Sequence, residues 1–225
     1  MGLNIKINTF QSIICFLLQA EVLPCVEGFQ YKGYLFPPVN KMENIAHDYP
    51  QLVARARLDS VRDYEDLLAR LRKLPAMIRQ ITALLRLGIT EGVTFAKESL
   101  AGVDERFEAL QVAAQDSIFY SRFRDMSGSL GRRVVGRLQA AAFNLTEAEL
   151  LPAFRDLQLF LRHEYSPQLR ASPGISAVPG GAEVYRAALR LHLGSDISPQ
   201  EVRTEELQLC LDFIRNLILL NELDS

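Results

Sequence analysis

Two adjacent residues, His163 and Glu164, carry the most chemically suggestive spacing in the chain. They match the start of the zinc-peptidase signature HExxH, in which two histidines four apart on one helix face hold the metal and the glutamate activates water. The place of the second histidine is taken by Pro167, which offers no ligand atom and ends a helix, so the pair reads as a helix-end surface feature. His47 and His192 are distant in sequence and could join such a site only through tertiary folding. Cys15, Cys25 and Cys210 show none of the short spacings of a cysteine zinc site and read as apolar fillers. The residues alone therefore assign no catalytic, cofactor-binding or metal-binding side chain within this chain.

Other chemistries fare no better. No GxSxG elbow surrounds any serine, and no cysteine sits in a recognised reactive context. The run from Ser127 to Arg132 is glycine-bearing but lacks the spacing of a phosphate-binding loop, and a mobile loop is the simpler reading. Phe119, Tyr120, Arg122, Phe123 and Arg124, followed by Arg132, Arg133 and Arg137, form a basic, aromatic patch of the composition that serves anion recognition. The same residues also build ordinary helix surfaces paired with Asp116 and Asp125, and that reading is preferred. Asn144, Leu145 and Thr146 make a formal glycosylation sequon, but the threonine is better placed as a helix cap.

The composition frames these residues. With 225 residues, 48% hydrophobic and 23% charged, the chain can bury a core. Its 25 basic side chains balance 27 acidic ones, so no global field would hold nucleic acid or an anionic membrane surface, and neither is expected as a partner. Three cysteines without close pairing favour a reducing, cytoplasmic compartment over secretion. The apolar run Ile13 to Leu18 after Lys6 is shorter than the about 7–15 residues of a secretory core, which leaves an amphipathic helix as the preferred meaning of residues 1–28.

The elements that would position these side chains are helices, because apolar residues recur at three- and four-residue steps and period-two alternation is scarce. A first helix is expected from Thr9 to Gly28, followed by an ordered, proline-bearing connection from Phe29 to Pro50. Ser60 caps a helix whose stripe is Val61, Tyr64, Leu67, Leu68, Leu71 and Leu74, with Asp63, Glu65 and Asp66 loading its first turn. Pro75 opens the next, in which Ile78, Ile81, Leu84, Leu85 and Leu87 face inward until Gly88 and Gly92 release the chain. Thr94 to Gln115 supplies a third helix, and Leu130 to Phe143 another segment beyond the break at Ser127–Ser129. Thr146 and Glu149 have capping-box spacing and introduce a buried helix bearing Leu150, Leu151, Phe154, Leu157, Phe160 and Leu161. A loop from Ser172 to Gly181 precedes a helix from Ala182 to Leu193, and Ser198, Pro199 and Glu201 start a last one.

Three stretches together resemble the domain of unknown function family 885, whose members look like zinc metallopeptidases of the HExxH clan. The first runs from Val26 through Tyr34–Asn40 to Gln51. The second runs from Val61 to Pro75 and on through Leu84–Arg86 to Gly92–Thr94. The third joins Pro152–Phe154, Phe160, Leu161 and Glu164–Pro167 to Pro179–Tyr185 and Ile197–Val202, so that the resemblance covers residues 16 to 203. Lys41, Asn44, Leu193 and Gly194 depart from the family pattern. The resemblance implies a mainly α helical bundle that is an incomplete part of a larger zincin-like helical protein, its HExxH motif lying beyond Ser225. It implies zinc in the full-length family, none bound by this chain, and peptide substrate once the missing part completes a cleft. Residues 1–171 would then be the N-terminal bundle, 172–203 the loop and helix of the cleft region, and 204–225 a divergent helix of a truncated end. Tyr185 and His192 are the candidate substrate-cleft residues on this resemblance. The expected function is a non-catalytic scaffold and cleft wall, inactive alone. The alternative is a protein-interaction module that uses the apolar C-terminal helix around Leu217 or the arginine-aromatic patch.

Overall fold

Asn44 sets the first described helix in place: its side-chain oxygen accepts the Ala46 N–H at 2.8 Å, and its own N–H donates to Asp48 Oδ2 at 3.1 Å. In the computed structural model, which describes residues 29–126, 130–193 and 198–204, this cap opens α1, Ile45–Arg55. Pro50 lies inside α1, so the connection expected to run through Pro50 ends at Asn44 instead. A proline there removes one helical hydrogen bond, a cost of about 3 kcal/mol, and burial of Ile45, Ala46 and Val53 on the core offsets it.

The chain forms two compact units, one of Tyr34–Ala177 and one combining Met1–Gly33 with Val178–Ser225. In the first, α2 (Val61–Leu71) begins with a complete capping box between Ser60 and Asp63, and it buries Tyr64, Leu68 and Leu71 as the stripe requires. Leu74 starts α3 (Leu74–Glu91), with Pro75 in the first turn where its missing N–H costs nothing. Ile78, Ile81 and Leu85 are buried, whereas Leu87 is 42% exposed, contrary to its expected inward place. It lies two residues from Leu85, about 200° around the helix, and so faces away from the core.

The two glycines at the end of α3 have different duties. Gly92 closes the helix at φ 68°, and Val93 donates back to the Gly88 carbonyl at 2.8 Å in the six-to-one bond of a Schellman cap. Gly88 stays helical and buried, because a Cβ there would stand 2.6 Å from the Val93 carbonyl oxygen.

The single helix expected from Thr94 to Gln115 does not form. Ala96 is instead extended and bridges Arg170 in parallel, with Arg170 N–H donating to the Phe95 carbonyl and Lys97 N–H to that of Arg170, both at 3.1 Å. A 3-10 turn at Lys97–Leu100, then α4 (Val103–Glu108) entered through Gly102 at φ 76°, take up the rest with a turn at Ala114–Asp116. Ser117 caps α5, Ile118–Arg124.

From Arg132 the backbone stays helical for more than thirty residues: α6 (Arg132–Leu145), a π turn at Thr146–Leu150, α7 (Leu151–Phe160), a second π turn at Leu161–Tyr165 and a 3-10 turn at Ser166–Gln168. The expected cap at Thr146 is thereby overturned. Thr146 has helical angles (φ −63°, ψ −48°), is buried, and its hydroxyl has no hydrogen-bond partner among the described residues. Each π turn contains the residue four before a proline, Ala148 before Pro152 and His163 before Pro167. The pyrrolidine ring would strike that carbonyl in a regular α-helix, and widening to a π turn lets the helix continue. The expected apolar side chains from Leu150 to Leu161 are all buried.

These helices assemble a mainly α fold. α3 packs along α7, α5 along α6, and α1 against α5. Phe154 anchors the centre, stacked on Phe119 at 5.4 Å between ring centroids and tilted against Phe107 at 6.3 Å. In the other unit, α8 (Gly181–Leu193) packs with the turn Phe29–Tyr31. A helical segment 199–204 starts at the reciprocal bonds of Ser198 and Glu201, as expected from their spacing. The first expected helix, the Ser127–Ser129 break and the C-terminal helix around Leu217 fall outside the described residues, apart from the start of residues 204–225 at Thr204. No helix among the described residues is long and apolar enough to cross a membrane.

Candidate functional site

The Tyr34–Ala177 unit carries a groove of about 730 Å³ between α3 and the helical run that contains both π turns. On the α3 side, Arg79, Thr82, Ala83 and Arg86 recur at three- and four-residue steps, which sets them on one face of the helix. The facing wall presents Glu149, Pro152, Asp156 and His163 over a floor that includes the buried Ile78, Leu157 and Phe160. The groove is thus open to solvent along charged rims and apolar at its base.

Its electrostatics are divided. At one end Arg86 forks onto Glu164, with Nη2 at 3.1 Å from Oε1 and Nε at 3.3 Å from Oε2, and the guanidinium carbon stands 4.9 Å over the Phe160 ring. Thr82 spends its hydroxyl on the Ile78 carbonyl at 3.0 Å. Arg79, Glu149, Asp156 and His163 have no hydrogen-bond or ion-pair partner among the described residues. One free cation and two free carboxylates therefore flank an apolar floor, a combination that can hold a carboxylate, an ammonium group and aliphatic surface together.

His163 and Glu164 sit in the second π turn as exposed residues, as expected, but they are more than helix-end decoration, since both line the groove and Glu164 ties it to α3. His47 is on α1 with Nδ1 at 3.1 Å from Asp48 Oδ1, and His192 is on α8. Among the described residues no group of three or more His, Cys, Asp or Glu side chains is arranged to hold a metal ion. The donor set there does not fit the zinc that the resemblance implies. Tyr185, 44% exposed, and the exposed His192 stand seven positions apart on α8, and so on one face of that helix.

Six of the eight residues in the arginine-aromatic patch are engaged within the fold, while Arg132 and Arg133 are exposed at the start of α6. Phe119 and Phe123 are fully buried, and Tyr120 packs edge-on against Phe143 at 5.5 Å. Arg122 donates to the Ala56 carbonyl at 2.8 Å, Arg124 to Asp125 and the Gln115 carbonyl, and Arg137 to Glu65. The four-residue step between Phe119 and Phe123 is a core stripe, so neither of these two rings is offered to an anion.

Two neighbouring constellations are structural. The Arg162 side chain and the Gln158 amide both bond to Asp104, and this holds its carboxyl below the usual carboxylate range. Tyr165, fully buried, accepts the Phe95 N–H on its oxygen at 3.0 Å, and burial pushes its hydroxyl above the ordinary value.

Sequence reasoning missed the groove. The signal was present as charges at seven-residue spacing on otherwise apolar helices, Arg79 with Arg86 and Glu149 with Asp156, but only the packing of α3 on α7 makes them face one another. The profile of a family described as bacterial protein of unknown function (DUF885) matches residues 15–209, reaching past Arg203, where the resemblance had been expected to end. No curated protein and no solved structure matches the chain.

Proposed function

The chain belongs to this family, and on that footing we propose that its helical body is a non-catalytic scaffold of a metallopeptidase-like protein, with the α3/α7 groove as one wall of a peptide cleft. The observation that carries the reading is the pairing of free opposite charges with an apolar floor in one recess. A peptide offers the complementary set: backbone carbonyls and carboxylates for Arg79, basic side chains or an amino terminus for Glu149 and Asp156, and aliphatic side chains for the surface of Ile78, Leu157 and Phe160. Zinc in this reading is held by ligands outside the described residues, and the groove residues only bind and orient. Tyr185 and His192, on one face of α8 in the other unit, are proposed as substrate-contacting residues on the family resemblance alone, independently of the groove.

The test is titration of the full chain with a fluorescein-labelled peptide of mixed charge, followed by anisotropy. Arg79→Gln and Asp156→Asn should each weaken binding about tenfold, roughly the value of one charge-assisted hydrogen bond. Both side chains are exposed and unpartnered, so neither change should move the thermal midpoint. Unchanged affinity in both variants would remove the groove from the reading. Peptide hydrolysis by the chain itself with stoichiometric zinc would overturn its non-catalytic part.

A further inference from the structure

α1 and α2 meet over a second, smaller recess of about 330 Å³. Val53, Leu71 and Leu74 are buried at its base, while Leu52 beside them is 63% exposed. Its one phenol, Tyr49, turns its hydroxyl to the Met77 sulfur at 3.2 Å. Among the described residues no acidic side chain lines the recess, and its two cations, Arg55 and Arg70, have no hydrogen-bond or ion-pair partner. The contrast with nearby arginines is direct, since Arg57 pairs with Asp59 and Arg62 with Asp66.

We propose that this recess binds a small apolar monocarboxylate, a medium-chain fatty acid, with its hydrocarbon on Leu52, Val53 and Leu71 and its carboxylate held by Arg55 and Arg70. An apolar slot lined by two arginines and no carboxylate is the form such a ligand needs, and the volume lies at the small end of the range for compact ligands. Arg55 and Arg70 stand in the last turns of α1 and α2, where each helix end carries about half a negative charge. Two whole positive charges exceed those two halves, so the net field at the mouth attracts an anion. The free cations exclude an amine, and the absence of any lining carboxylate leaves nothing to hold one.

Octanoate is the probe, and because the chain has no tryptophan, calorimetry on the full chain is the readout. One octanoate per chain should bind, with octanol and octylamine at least tenfold weaker. Each methylene removed should weaken binding about fourfold, so that hexanoate binds about fifteenfold less tightly. Arg55→Gln and Arg70→Gln should each weaken octanoate about tenfold while leaving octanol unchanged, and Arg70→Lys should restore part of the loss. Circular dichroism melts should stay within a few degrees of wild type, because both arginines are exposed and unpartnered and each loses only its attraction to a helix end. Equal affinity for octanol and octanoate, several ligands per chain, or full affinity in the doubly substituted chain would overturn the proposal. So would a dimer by light scattering that Leu52→Glu converts to monomer, since a second copy would then own this face.

Discussion

Arg86 and Glu164 meet across 78 residues of sequence, two guanidinium nitrogens of the one on both carboxylate oxygens of the other. The contact fastens α3 to the second π turn and closes one end of the groove. Both side chains are more than half exposed, so solvent screening limits what the ion pair contributes to stability. A double-mutant cycle of Arg86→Gln and Glu164→Gln should give a coupling of about 0.5 kcal/mol in urea denaturation, reduced further in 1 M salt. Arg86→Gln should cost about 0.5 kcal/mol more than Glu164→Gln, because only Arg86 also lies over Phe160. A coupling well above about 1 kcal/mol would mean that the pair is less solvated than its exposure implies.

Gly88 and Gly92 should respond unequally to alanine. At Gly92 the left-handed backbone makes a side chain cost about 1–2 kcal/mol. At Gly88 helix propensity favours alanine by about 1 kcal/mol, but its Cβ would meet a backbone oxygen at 2.6 Å, which can move only if the Schellman cap opens. Gly88→Ala should therefore destabilise by 2 kcal/mol or more, the larger loss of the two, as measured by denaturant midpoints. A neutral Gly88→Ala would show that the cap after α3 yields easily.

Those two glycines mark the border of what the sequence made legible. Gly92 could be read as a helix end from its position after an apolar stripe, and so could the caps at Ser60 and Ser198, because each is decided by neighbours within four residues. Gly88 resembles a second terminator until its contact with Val93 is visible. Pro50 and Thr146 misled for the same reason, since local rules end a helix where tertiary burial and a π turn carry it on. Thr94–Ala96 has ordinary helix-compatible residues, and only its pairing with Arg170, more than seventy positions away, makes it extended. The groove belongs to this non-local class, whereas the exposed place of His163 and Glu164 did not need the fold to be read.

Asp104 should make the fold acid-sensitive in one defined direction. Arg162 first, then Gln158, lower its folded-state pKa, so its stabilising contribution is present above the unfolded value near 4 and lost as pH falls through the folded value. Its side chain and that of Arg162 are both partly exposed, and screening holds the gain at neutral pH to about 1 kcal/mol. Asp104→Asn should lose that amount at pH 7 and converge on wild type toward pH 2, with thermal midpoints as the measure. Parallel curves at all pH values would show that the carboxylate charge is immaterial.

Tyr165 should act in the opposite pH range. It is buried against Phe95 and Phe160, and its oxygen is the acceptor for the Phe95 N–H at the place where the extended Thr94–Ala96 segment joins Arg170. Tyr165→Phe keeps the ring and removes the acceptor, which leaves a buried N–H unpaired at a cost of about 1–3 kcal/mol. Burial is the leading cause of the raised pKa of the phenol, with the Phe95 hydrogen bond and Arg170 opposing it. A raised folded value means that the neutral phenol favours the folded chain: its contribution is full below the unfolded pKa near 10 and is lost as pH rises through the folded one. Wild type should consequently lose its advantage over Tyr165→Phe above pH 10, where the variant has no phenol to ionise. Hydrogen exchange at the Phe95 amide should quicken in the variant, and an unaltered rate there would show that the N–H had found another acceptor.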